Sequence, residues 1–205
     1  MGNKGSASSK AGGGGARSFK EITDEHELDA SVDQWMNDIT QNELDRTKYY
    51  TGAGYADWND SLRNDDGKGY ENFTKGLDGA ISKFNLDQDI ITYRGLSYGA
   101  MEAMFGEATP SIESINAMKG AIVSDKAFLS TSIDKSVAKG SFFSDGYVFK
   151  INVPKGKGRG AYVNKISQHN GEMEFIMHRN TQLKVTGASY DSSMGRTVIN
   201  VDYVK

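Results

Sequence analysis

Near Asp89 the hydrophobic pattern of this chain changes its period, and that change restricts the fold to one that segregates helices from strands. From Phe19 to about Phe84 apolar residues recur at helical spacing, with Leu28, Val32, Trp35 and Ile39 three or four positions apart. A second helix is expected from near Leu44 to the Thr51-Gly52 turn, and a third carries Tyr55, Trp58 and Leu62. A fourth runs through Leu77 and Phe84 after the loop Asn64-Asp65-Asp66-Gly67-Lys68-Gly69. Beyond Asp89 the texture is short β-branched and aromatic runs between turns. Strands are predicted over Ile90 to Arg94, closed by Gly95, and over Ala127 to Ile133, Tyr147 to Val153, Glu172 to His178, Leu183 to Tyr190 and Arg196 to Tyr203. One helix interrupts them at Ser111 to Met118, with Ser111 as N-cap. The expectation is an α+β domain in which an N-terminal helical cluster packs on two small, mostly antiparallel sheets lying face to face.

The 205 residues suffice for one domain with a buried core, here assigned to residues 19–205. Residues 1–18 are mostly Gly, Ser, Ala and Lys with almost nothing apolar, and a disordered leader is expected because such a stretch cannot offset its ordering entropy. Its opening Met-Gly-Asn-Lys-Gly-Ser fits the N-myristoylation pattern at Gly2, so membrane contact is expected only if Gly2 is acylated. No apolar run is long enough to span a bilayer and no cleavable secretory signal is evident. The formal charge of -3 gives no general attraction to phosphate backbones, so a nucleic-acid partner is not expected. With no cysteine and three histidines outside any His-Glu-x-x-His spacing, neither a thiolate nucleophile nor a metal site is expected.

Three separate strand-like segments carry polar side chains where a buried face would prefer apolar ones. Arg94 ends an apolar strand. Ser130 and Ser132 flank Thr131 and share one face, because strand side chains alternate. Glu172 and Glu174 are likewise two apart and project to one side if the strand has begun. Taken singly, each is most often an ordinary solvated face or ion-pair partner.

Taken in order, Tyr93-Arg94-Gly95, Phe128-Leu129-Ser130-Thr131-Ser132 and Glu172-Met173-Glu174-Phe175 resemble the Arg, Ser-Thr-Ser, Glu-x-Glu signature of ADP-ribosyltransferase toxins, nearest the C3-like, VIP2-type and binary-toxin group. Tyr49-Tyr50-Thr51-Gly52 and Tyr55-x-x-x-Asn59-x-x-Leu62-Arg63 are similar to that group's helical NAD-contacting segment. The resemblance implies an NAD-dependent mono-ADP-ribosyltransferase with NAD in a cleft between the sheets and no metal. It makes Glu174 the catalytic carboxylate that stabilises the positive charge developing on the ribose. Arg94 would hold the diphosphate beside Gly95, and Ser130 would bond the ribose or fix Glu174. Tyr50, Tyr55, Asn59 and Arg63 are the further expected NAD contacts. Glu172 implies an arginine acceptor, since a carboxylate there orients a guanidinium and takes its proton. Tyr162 and His169, on or near the turn Lys165 to Gly171, are the expected substrate-recognition residues. Phe142 and Phe143 stand where the family stacks an aromatic on nicotinamide, although Asp145 and Gly146 occupy the place where an arginine is expected. The resemblance also implies a monomer that is secreted or injected and meets a target protein in another cell's cytosol. An NAD glycohydrolase, or a catalytically silent binding domain of a larger assembly such as a phage particle or toxin complex, are the alternatives.

Overall fold

The computed structural model describes residues 17–140 and 145–204. The expected leader lies outside that range save for Arg17 and Ser18, as do Gly2 and the aromatic pair Phe142 and Phe143. At its edge Arg17 is held, its Nε donating to Asp89 at 2.7 Å.

Helices come first in the chain. After a strand β1 (Lys20–Glu21) and a 3-10 turn (Glu25–Leu28), α1 (Asp29–Asp38) buries Val32 and Trp35, and the Trp35 indole donates to the Ala80 carbonyl at 2.7 Å. Helix α2 (Gln41–Tyr49) starts three residues before Leu44, because Thr40 and Glu43 form a reciprocal capping box that satisfies two first-turn N–H groups. It continues through a π-type turn, Tyr50–Gly54, into α3 (Tyr55–Asn64). Helix α4 (Glu71–Lys83) then buries Leu77, Ala80 and Ile81. Tyr50, Trp58 and Phe128 meet edge-on with centroids 5.4 to 5.6 Å apart, which clamps this helical layer to the sheet.

The strands are β2 (Asn85–Leu86), β3 (Ile90–Leu96), β4 (Ile122–Ser124), β5 (Leu129–Ser132), β6 (Tyr147–Val153), β7 (Gly156–Lys157), β8 (Ala161–Tyr162), β9 (Glu174–Met177), β10 (Gln182–Asp191) and β11 (Arg196–Tyr203). Among the described residues they run in the order β4-β10-β11-β6-β3-β5-β9-β8, with β1 on β3 and a separate pair β2-β7. Most neighbours are antiparallel; β6-β11 and β1-β3 are parallel. The two expected sheets meet as halves of this path. At their junction β3 and β5 share one register pair, Tyr93 with Ser132, and the Arg94 guanidinium reaches across to the Ser130 carbonyl at 2.7 Å.

Two local expectations are corrected. Strand β9 begins at Glu174 and not Glu172, because Asn170–Glu172 forms a 3-10 turn and Met173 follows in the left-handed region at φ 45°. Two helices join the one expected among the strands (α6, Ile112–Ala117): α5 (Tyr98–Phe105), capped by Ser97 and stopped by Gly106 at φ 76°, and α7 (Lys135–Ala138), capped by Asp134. In the Gly/basic stretch from Lys155 to Gly160, Gly156–Lys157 pairs with Asn85–Leu86 as β7. No helix among the described residues is long and apolar enough to cross a membrane.

Candidate active site

Where β3 and β5 part, a cleft of about 700 Å³ opens, inside the roughly 300–1,000 Å³ range of small-molecule sites. Four elements build it. The helical wall is α3 with the turn before it: Tyr55, Asn59 and Arg63 lie four apart, hence on one helix face, and Tyr50 stands beneath them. The end of β3 supplies Arg94 and Gly95, β5 supplies Ser130, and the turn before β9 supplies His169 and Glu172. Glu174, the first residue of β9, closes the floor.

The hydroxyls of β5 divide three tasks. Ser130 Oγ faces the cleft and lies 3.4 Å from the Tyr50 hydroxyl, to which the Asn59 amide also donates at 2.9 Å. Thr131 Oγ1 donates to the Phe175 carbonyl at 2.7 Å and Ser132 Oγ to the Glu172 carbonyl at 2.7 Å, so the motif fixes the backbone on both sides of Glu174. Glu172 therefore reaches the cleft by a pinned turn and not by strand alternation.

Glu174 is 7% exposed. Burial lifts its pKa to about 7; the Ser130 hydroxyl and Arg94 pull it down, while nearby Glu172 pushes it further up. The Tyr50 phenol is pushed up to about 12, chiefly by burial. Burial likewise lowers the pKa of Arg94, although a guanidinium remains charged at any physiological pH. Arg94 Nε and Asn59 Oδ1 are buried with no hydrogen-bond partner among the described residues. Buried polar atoms are rarely left unpaired, so a polar guest in this cleft has both a donor and an acceptor to meet.

One residue that holds a wall of this cleft in place carries no sequence signal. Asp125 accepts from Arg63 Nε at 2.9 Å and Nη2 at 2.7 Å, and from the Ala127 N–H at 2.9 Å. Burial opposes its charge, yet the Arg63 guanidinium and that N–H outweigh it and hold its pKa below the ordinary value. The paired edge fixes Arg63 and leaves Nη1 to other partners. An Asp two residues before an alanine reads only as a local turn; 62 residues separate it from Arg63.

Tyr162 does not join the group. It is 2% exposed on β8, outside the cleft wall, and its hydroxyl has no partner among the described residues, so the substrate-recognition role expected of it is corrected to a core position. His169 is exposed at the cleft rim. Phe142 and Phe143 lie outside the described residues, and Asp145 accepts from the Tyr98 N–H at 2.9 Å. Among the described residues no three His, Asp or Glu side chains gather as a metal site.

A sequence model of the family described as ADP-ribosyltransferase exoenzyme matches residues 29–205. The chain belongs to that family. It is 34% identical over 183 residues to an NAD(+)--arginine ADP-ribosyltransferase of Enterococcus faecalis, covering 84% of this chain but 34% of the relative, so it spans about a third of that protein's length. The exoenzyme fold recurs in the C3 exoenzyme of Clostridium limosum, with TM-score 0.77, 20% identity, and 93% and 99% of the two chains covered. It recurs again in C3stau2 from S. aureus, solved with NAD, at TM-score 0.76, 18% identity, and 91% and 99% coverage. The enzymatic component C2-I of the Clostridium botulinum C2 toxin matches 89% of this chain and 47% of its own at TM-score 0.72 and 18% identity.

Proposed function

We propose that this chain is a mono-ADP-ribosyltransferase that transfers ADP-ribose from NAD to an arginine of a target protein. The observation that carries the reading is the convergence of Arg94, Ser130, Glu172 and the buried Glu174 on one cleft. Family membership and the arginine-directed relative support it.

In this reading the diphosphate lies against Arg94 and the free edge of Arg63, with Gly95 admitting close approach. Tyr50, Tyr55 and Asn59 shape the helical wall beside it. Ionised Glu174 stands against the ribose, where it stabilises positive charge as the bond from C1′ to the nicotinamide nitrogen breaks. A guanidino nitrogen of the acceptor then bonds to C1′, and Glu172 receives the proton that nitrogen releases. Nicotinamide leaves with the bonding electrons, so charge and atoms balance. His169, at the rim, is positioned to touch the acceptor. If water takes the acceptor's place the product is free ADP-ribose; the Glu172 carboxylate favours transfer over that hydrolysis. A monomer acting on a protein after secretion or injection is the matching context, with residues 19–205 as the catalytic unit.

The test is incubation with labelled NAD and a cell lysate. Wild type should release nicotinamide and label a protein through a bond labile to hydroxylamine. Glu174→Gln should abolish both, and Glu172→Gln should stop labelling while sparing part of the NAD hydrolysis. Equal nicotinamide release from wild type and Glu174→Gln sinks the assignment.

A further inference from the structure

The helical wall and the acceptor turn of the cleft are joined by one side chain that lines neither. Between α2 and α3 the backbone leaves the helical region at Gly52, with φ -105° and ψ -139°. Just before the break, the Lys48 carbonyl accepts from Thr51 Oγ1 at 3.1 Å and from Gln168 Nε2 at 3.0 Å. The Gln168 N–H donates to Thr51 Oγ1 at 3.3 Å, so backbone and carboxamide of one residue both engage the break. The space is matched as well: a Cβ on Gly52 would lie 2.5 Å from Gln168 Nε2 and 2.7 Å from its Cδ. Gln168 thus occupies the volume that a side chain at position 52 would take.

From that anchor the chain runs directly to the acceptor side. The His169 N–H donates to Ser167 Oγ, the Glu172 N–H donates to the His169 carbonyl, and the Glu172 carbonyl accepts from Ser132. The segment from Gln168 to Glu172 is consequently fixed at one end to the helical wall and at the other to β5. His169 and Glu172 face the cleft from within it. Release of the first end leaves the segment held by Ser132 at the Glu172 carbonyl and by its own turn bonds, so that Glu172 can shift from the position where it meets an acceptor. Glu174 is secured separately, paired with Ser132 of β5 and with its carbonyl accepting from the Val163 N–H, so the ribose side keeps its geometry.

We propose that Gln168 is a positioning residue which, seated over Gly52, holds Glu172 toward the ribose site and so sets how ADP-ribose is divided between a guanidine acceptor and water. The inference rests on the transferase reading above. Transfer forms a bond from C1′ to nitrogen and hydrolysis a bond from C1′ to oxygen; both break the same bond to nicotinamide and release one proton.

The full chain is assayed with ribose-labelled NAD and agmatine, a soluble guanidine, and both ADP-ribosyl-agmatine and total nicotinamide are measured. Gln168→Ala should lower the ratio of transfer to hydrolysis by about tenfold or more while KM for NAD and the rate of hydrolysis stay within about twofold. Gly52→Ala should likewise lower the ratio of transfer to hydrolysis, by displacing the carboxamide. The double variant should recover the thermal stability lost in Gly52→Ala, because the clash is gone, and yet transfer no better than Gln168→Ala. Hydrogen exchange at residues 167–172 should rise in each variant. An unchanged ratio in Gln168→Ala, or transfer and hydrolysis falling together, overturns the inference. Absence of nicotinamide release from wild type overturns the transferase reading itself and this one with it.

Discussion

In the role proposed for it Glu174 must be buried to act in a water-poor site, yet charged to stabilise a cation, and the two requirements meet in its pKa of about 7. In the free enzyme kcat/KM for NAD should therefore fall about tenfold per pH unit below pH 7 and level off above it. A flat profile from pH 5 to 8 would show that Glu174 ionisation does not limit the reaction. Stability runs the other way. The folded pKa lies above the ordinary 4.5, so the protonated carboxyl favours the fold: that contribution is complete below pH 4.5 and is lost as pH rises through about 7. Glu174→Gln should then be more stable than wild type at pH 8 by on the order of 2 kcal/mol, a Tm gain of about 5 °C, and indistinguishable from it near pH 4. Calorimetry at the two pH values decides it. The place of this residue in the cleft was legible in the order of three short motifs. The route by which Glu172 joins it was not, since a 3-10 turn and a left-handed Met173 replace the strand alternation that the spacing suggested.

Among the elements, those with strong local signals were placed well and those defined by partners were not. Strands β6 and β11 fall where β-branched and aromatic residues cluster, and the four N-terminal helices follow their apolar spacing. Helix α5 escaped although Ser97 and Gly106 bracket it, because its eight residues read equally as a loop rich in Gly, Ala and Met. Strand β8, two residues long, is set by its pairing with β9, and the approach is close: a Cβ on Gly160 would stand 2.2 Å from Phe175 Cε1 and 2.8 Å from the Ile176 carbonyl oxygen. Gly160→Ala should destabilise the protein by about 2 kcal/mol or more and, by shifting β9, lower NAD hydrolysis as well. Wild-type stability in that variant would mean that β8 can recede without cost. Strand β1 is held to the sheet by the Tyr93 hydroxyl, which donates to Glu21 at 2.6 Å, and by Lys150 on the same carboxylate. Tyr93→Phe should cost about 1–2 kcal/mol in denaturant unfolding, since it removes a bond to a charged acceptor from a buried phenol.

At the scale of the whole molecule the cleft exists because two half-sheets meet at a single register pair and the helical layer spans the opening. A ligand that bridges those parts binds only the folded state. With Glu174→Gln, which the proposed mechanism makes inert, NAD at about a hundred times its Kd should add about 2.7 kcal/mol and raise Tm by roughly 5–10 °C. No shift at saturating NAD would remove the cleft from consideration as its site. The chain's own pattern determined the change from helices to strands, most element positions and the family signature, since periodicity and short motifs are local properties carried by adjacent residues. Tertiary structure alone decided that Asp125 pairs with Arg63, that Tyr162 turns into the core, that Gln168 fills the space over Gly52 and that Glu174 loses its water. Each of these depends on groups far apart along the chain, where burial and distance arise only once the backbone has brought them together.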